Sequence, residues 1–156
     1  MSKIRDIVVK KYDNVEVYKL NPSLTDLFDN NLYKLYVNNE LFLVPLWHNE
    51  SYFDGSSCEI IVICEPELPS GINIDDNNNI CIEKEIIWDD AFMKLILKNE
   101  NIQIQCGVKI FDIPPSELHI KREQYYIIKK KGLSRIKRDI YDISEKSDII
   151  VKIMLK

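Results

Sequence analysis

Two histidines, four cysteines and two pairs of adjacent acids are the side chains here whose types offer chemistry beyond packing. His48 and His119 stand 71 positions apart, with no Gly-x-Ser-x-Gly elbow and no His-x-x-Glu-type spacing to supply a nucleophile or a metal partner. His48, beside Trp47, reads as a surface or satisfied, partly buried histidine. Cys58, Cys64, Cys81 and Cys106 include no Cys-x-x-Cys pair, so zinc-ribbon and zinc-finger spacing is absent and no metal site is expected. Cys58 and Cys64, six residues apart, fall on one face of a strand and read as packing residues rather than nucleophiles. Asp75-Asp76 sits in an Asn-rich turn, and Asp89-Asp90 at a helix start, where acids favour the macrodipole. These residues point to no catalysis and to no cofactor.

A second constellation is basic. Lys121, Arg122, Lys129, Lys130, Lys131, Arg135, Lys137 and Arg138 face one acid, Glu123, and are interleaved with Tyr125 and Tyr126. Such a patch can contact phosphates and stack bases. The alternative is a solvated hairpin whose lysines guard an exposed strand edge. The net charge of -4 and the acids at Asp139, Asp142, Glu145 and Asp148 favour the hairpin, so nucleic acid is not the expected partner.

The elements that must carry these residues are mostly strands. With 156 residues, 46% hydrophobic and 29% charged, the chain can bury one core or two small ones. Four glycines leave little material for a phosphate loop, and no apolar run is long enough for a signal peptide or a membrane span. A cytoplasmic protein with reduced thiols is expected. Short β-branched and aromatic runs between Asn, Asp, Gly and Pro predict a mainly β fold. Strands are predicted over 15–20, 32–37, 41–46 and 59–64, with a capped helical turn from Ser23 to Phe28 and a hairpin turn at Asn38-Asn39. Ser51 to Ser57 reads as a turn. Beyond a stiff connection at 65–71, strands are predicted over 72–75, 80–87, 102–105, 108–113, 118–120, 125–128 and 149–155, with a helix from about Trp88 to Leu97. An acid-Ile-Ile-Val strand occurs twice, at Glu59 and at Asp148, and a capped helix follows a strand twice. The expected architecture is therefore an N-terminal extension, 1–13, and two tandem β-sandwich-like modules, 14–66 and 70–156, each with a short helix.

Ser23-Leu24-Thr25-Asp26-Leu27-Phe28 stands where the C-terminal substrate-binding region of DnaJ-type co-chaperones has Ser-Leu-Glu-Asp-Leu-Tyr, and the next strand follows without a gap. The family's Gly-Asp-Leu-x-Val closing motif is echoed by Cys58-Glu59-Ile60-Ile61-Val62 and Ser147-Asp148-Ile149-Ile150-Val151. The opening of its second module is loosely matched by Ile72 to Ile80, and its Gly-x-Pro by Gly132-Leu133-Ser134. From Asn14 to Lys156 the chain thus resembles that region, although both Gly-Asp-Leu glycines and the proline are replaced. There is no His-Pro-Asp tripeptide and no zinc-binding insert, so the chain looks like the J-domain-less DnaJ-like proteins of large DNA viruses, in host cytoplasm or virion.

The resemblance implies a non-enzymatic, holdase-like, monomeric protein that holds extended clients as an added strand in an apolar groove of the first module. Carried over residue by residue, that groove comprises Tyr18 and Leu20 on one strand and Tyr33, Leu35 and Val37 on another. The family also holds the acidic tail of a seventy-kilodalton heat-shock chaperone with lysines near this groove. Tyr33 occupies one such position, and Lys34 and Lys19 are the substitutes. The alternative function is a structural or assembly protein, virion-associated, that uses the same fold to bind one specific partner.

Overall fold

The computed structural model describes the backbone of residues 7–12 and all of residues 14–156, in which strand accounts for 46% and helix for 11%, a mainly β protein. The chain divides into two units, one of Met1–Leu68 with Leu133–Lys146, the other of Pro69–Gly132 with Ser147–Lys156. The cut at Leu68 lies inside the stiff connection predicted over 65–71. The second module is nevertheless not the continuous 70–156 expected, because Leu133–Lys146 belongs to the first unit.

The first unit is built from β1 (Ile7–Tyr12), β2 (Val15–Leu20), α1 (Leu24–Phe28), β3 (Leu32–Val37), β4 (Glu40–Pro45), β5 (Glu50–Asp54) and β6 (Glu59–Cys64). Its four-stranded sheet has the order β1-β2-β6-β5, with β2 and β6 parallel and both outer pairs antiparallel. The second unit contains β7 (Ile72–Ile74), β8 (Ile80–Ile86), α2 (Asp90–Leu97), β9 (Ile102–Cys106), β10 (Lys109–Ile113), β11 (Glu123–Ile128) and β12 (Ile149–Leu155). Its sheet runs β7-β8-β12-β11, again with a central parallel pair and antiparallel flanks. Element by element, the second unit replays the first: a hairpin (β3-β4 or β9-β10) and a short helix lie between two parallel partners. The two acid-Ile-Ile-Val segments fall at the same place in this scheme, opening β6 and β12. In β6, a central strand, Ile60, Val62 and Cys64 are buried and Ile61 and Ile63 half-buried, in keeping with its unbroken Ile-Ile-Val-Ile.

Four expectations are corrected. Residues 7–12 are the edge strand β1, paired to β2, not an extension outside the module. Ser51 to Ser57 is not all turn, since β5 pairs along Ile60 to Ile63, with Ser51 buried. Leu118 to Ile120 forms no strand. The backbone N–H of His119 donates to Gln124 Oε1 at 3.0 Å, and Gln124 Nε2 donates to the His119 carbonyl at 2.5 Å, so one side chain takes the groups a ladder would need. The basic hairpin at 121–138 is two things: β11, and the start of the segment Leu133–Lys146.

That segment lies between β11 and β12, where the first unit has only a tight turn from Gly55 to Cys58 closed by a 2.9 Å hydrogen bond. It forms a closed strap. A bridge joins Ser134 to Lys146, Arg135 N–H donates to the Glu145 carbonyl, and Arg135 and Lys137 both pair with the Glu145 carboxylate. Leu133 and Ser134 are buried, and Lys146 Nζ reaches Asn30 Oδ1 at 3.1 Å and Ser134 Oγ at 2.7 Å.

Candidate functional site

The hairpin of β3 and β4 carries the site. Asn38 and Asn39 both take positive φ, 50° and 65°, the two-residue turn that matches the twist of paired strands, and Asn tolerates it without a glycine. Upstream, α1 is fixed by a capping box: the Asp26 N–H donates to Ser23 Oγ at 3.2 Å and the Ser23 N–H to Asp26 Oδ2 at 3.0 Å. Leu24, Leu27 and Phe28 are buried from that turn, and Asn31 Nδ2 binds Asp26 Oδ1, tying the helix to the start of β3.

Parity along β3 decides what it offers. The Leu46 N–H donates to the Asn31 carbonyl at 3.3 Å, so in this register Asn31 with Leu46, Tyr33 with Val44, Leu35 with Phe42 and Val37 with Glu40 are the bonded pairs. Leu32, Lys34 and Tyr36 therefore turn their backbone N–H and C=O away from β4. Among the described residues no strand pairs with that edge of β3. The same three side chains occupy the outward face of the hairpin: Leu32 is 42% exposed, Tyr36 64%, and their cross-strand neighbour Leu41 47%. β4 is different. Its outward carbonyl at Leu43 accepts a hydrogen bond from the Tyr141 hydroxyl of the strap at 2.8 Å, so this border is occupied by the unit's own chain.

Of the residues expected to form the groove, Tyr33, Leu35 and Val37 lie on the opposite face of the hairpin, and Tyr18 and Leu20 belong to β2 in the four-stranded sheet. Leu20 and Leu35 have no exposure and Val37 6%, so all three are core and cannot touch a client. Tyr18 is half-buried, with its hydroxyl donating to Glu16 Oε2 at 2.7 Å, and Tyr33 is half-buried. A strand has a period of two, and reading it one residue out exchanges its faces. Lys34 was the signal in the sequence: a charged side chain marks the wet face, and Leu32 and Tyr36 share it. Of the two lysines considered for an acidic tail, Lys34 is exposed on this edge and Lys19 is paired with Glu65 at 2.7 Å.

Most of the chemically versatile residues are committed to structure. His48 is buried, its ring edge-on to Trp47 at 5.9 Å. Burial depresses its basicity, opposed by a hydrogen bond to the Ile140 backbone that favours the protonated ring and so comes from a ring N–H. Its Nε2 has no hydrogen-bond partner among the described residues. Burial pushes the Cys64 thiol up to about 12 and Cys106 to about 11, which keeps both protonated and poor as nucleophiles. Asp75 accepts the N–H groups of Asn77 and Asn79, and Asp89 caps α2 through the Phe92 N–H. Among the described residues no three of His, Cys, Asp and Glu gather as metal ligands, and no helix is long and apolar enough to cross a membrane.

Neither the protein-family models nor the curated proteins contain a match to this chain.

Proposed function

We propose that the protein binds extended polypeptide segments by adding them as a third strand to the edge of β3 that no described strand pairs with, in the manner of the substrate-binding region of DnaJ-type co-chaperones. The observation that carries this reading is the outward-turned backbone of Leu32, Lys34 and Tyr36, flanked on the same face by Leu41 and Leu43. A row of alternate donors and acceptors is complementary to one thing, another extended chain, and apolar side chains beside it give that chain somewhere to bury every second residue. Lys34, at the middle of the edge, favours an acid opposite it, worth roughly 0.2–1 kcal/mol, so clients are apolar segments interrupted by Asp or Glu. Burying one leucine-sized side chain contributes roughly 1.5–3 kcal/mol, and two such contacts with the edge hydrogen bonds give about micromolar binding once ordering costs are met. Weak, reversible capture suits a holdase and involves no bond-making chemistry.

The test is suppression of model-client aggregation together with fluorescence anisotropy of a labelled apolar-acidic peptide. Lys34→Pro removes an outward N–H while leaving the β3-β4 ladder whole, and Tyr36→Asp places a charge in the apolar face. Both variants are expected to lose binding by about tenfold or more with their melting retained. Unchanged binding in both overturns the proposal. Recovery of one stoichiometric partner from the native source, in place of a mixed client set, transfers the same edge to an assembly protein.

A further inference from the structure

The second unit contains a cavity of about 190 Å³ whose walls include Trp88, Phe92, Ile96, Leu118 and Ile153. Its polar lining is limited to His119, Gln124 and the indole N–H of Trp88. The Gln124 amide is engaged at both ends by the His119 backbone, which leaves the His119 imidazole and the Trp88 indole N–H as polar groups that can turn to a guest. The duplicated architecture shows that this space is a departure from its counterpart. In the first unit the helix buries Leu24, Leu27 and Phe28, whereas none of the side chains of α2 is fully buried. Phe92 and Ile96 of α2 line the space and are left half-buried.

We propose that this cavity is a binding site for one uncharged aromatic ring of phenyl or indole size. An apolar space of about 150 Å³ is large enough for a benzene-sized guest, so the volume of this solvent-open pocket suits a single or fused ring and is too small for a long acyl chain. A charged group would enter without compensation. Trp88 and Phe92 stand edge-to-face, with centroids 5.4 Å apart and planes at 61°, and aromatic groups in this arrangement extend naturally to a third ring. The segment Leu118 to Ile120 supplies the opposing wall, held out of the sheet by Gln124. This site lies in the second unit and does not depend on the β3 edge.

NMR of the full chain, titrated with indole, with a capped tripeptide whose central residue is tryptophan, and with octanoate, tests the proposal. Indole or the tripeptide is expected to shift the Trp88 indole N–H and the amides of Ile96, Leu118 and Ile153 saturably, leaving the Trp47 indole unmoved. The tighter of these two supports the site and identifies its source, free ring or peptide side chain. Filling the cavity by Leu118→Trp, or from the helix side by Ile96→Trp, is expected to weaken binding by about tenfold or more without loss of the native spectrum. Absence of a saturable shift at Trp88, octanoate binding as tight as indole, or undiminished binding in a folded filled variant each overturns it.

Discussion

The hydroxyl of Tyr141 donates to the carbonyl of Leu43 across 98 residues of sequence, at 2.8 Å. This one bond occupies an outward acceptor of β4 and leaves β3 as the border of the hairpin with no strand beside it among the described residues. Tyr141→Phe keeps the ring and removes the donor. It is expected to lower the stability of the first unit by about 0.5–1.5 kcal/mol in urea unfolding, and an unchanged midpoint would show that the bond contributes nothing.

Adjacent residues of β3 should respond in opposite ways. Leu35→Ala opens a hole at a side chain with no exposure and is expected to cost about 2–5 kcal/mol of stability. Tyr36→Ala, on the exposed face, is expected to change stability by within about 0.5 kcal/mol and to weaken peptide binding. Thermal melts and anisotropy measured on the same two proteins check the pair. Loss of binding without loss of stability in Leu35→Ala would reverse the assignment of faces.

That contrast also marks what the sequence does and does not disclose. Short β-branched and aromatic runs bounded by turn residues located β2, β3, β6 and β12 to the residue. Leu-Tyr-Lys-Leu-Tyr-Val is apolar on both faces, so the strand was legible and its inward side was not, apart from the hint of Lys34. β5 was hidden by Glu50, Ser51 and Asp54, and betrayed only by Tyr52 and Phe53, the latter packed on Phe42 at 5.5 Å. Leu118 to Ile120 has strand composition, yet its hydrogen bonds go to a side chain. The strap was unreadable because its partners, Asn30, Leu43 and His48, lie about a hundred residues away, and no local periodicity encodes such contacts.

Acid should loosen the first unit at His48. Its folded basicity lies below the ordinary 6.5, so as pH falls through 6.5 the unfolded chain takes up a proton that the folded chain refuses. Stability is therefore full above about 6.5 and declines below it, in the direction set by the extra proton bound by the unfolded state. Glu40 and Glu145, held below the usual carboxylate range by the Ser56 hydrogen bonds and by Lys137 respectively, lose their contributions only below about 4.5. Melting temperatures measured between about pH 7 and about pH 5 separate a histidine effect from the carboxylates. His48→Gln is expected to flatten the dependence, and an equally steep decline in that variant would assign it to another group.

Gly132, where the chain departs into the strap, has no space for a side chain. A Cβ there would meet the buried Ser147 Oγ at 2.2 Å and the Asp148 carbonyl at 3.0 Å. Gly132→Ala is expected to cost about 1–3 kcal/mol as the two neighbouring backbone segments are forced apart. Calorimetry checks it, and a melting temperature equal to that of the parent would show that Ser147 moves aside freely.

Because the strap departs after Gly132 and returns at Ser147, no single scission of the polypeptide yields both halves intact. A fragment stopped at Leu68 forfeits Ile140 and Tyr141, and with them the acceptor for the His48 ring. Dissection calls for surgery of another kind: Leu133–Lys146 grafted onto the first half, and Gly132 spliced straight to Ser147 in the second, two backbones that a 2.9 Å hydrogen bond already holds side by side.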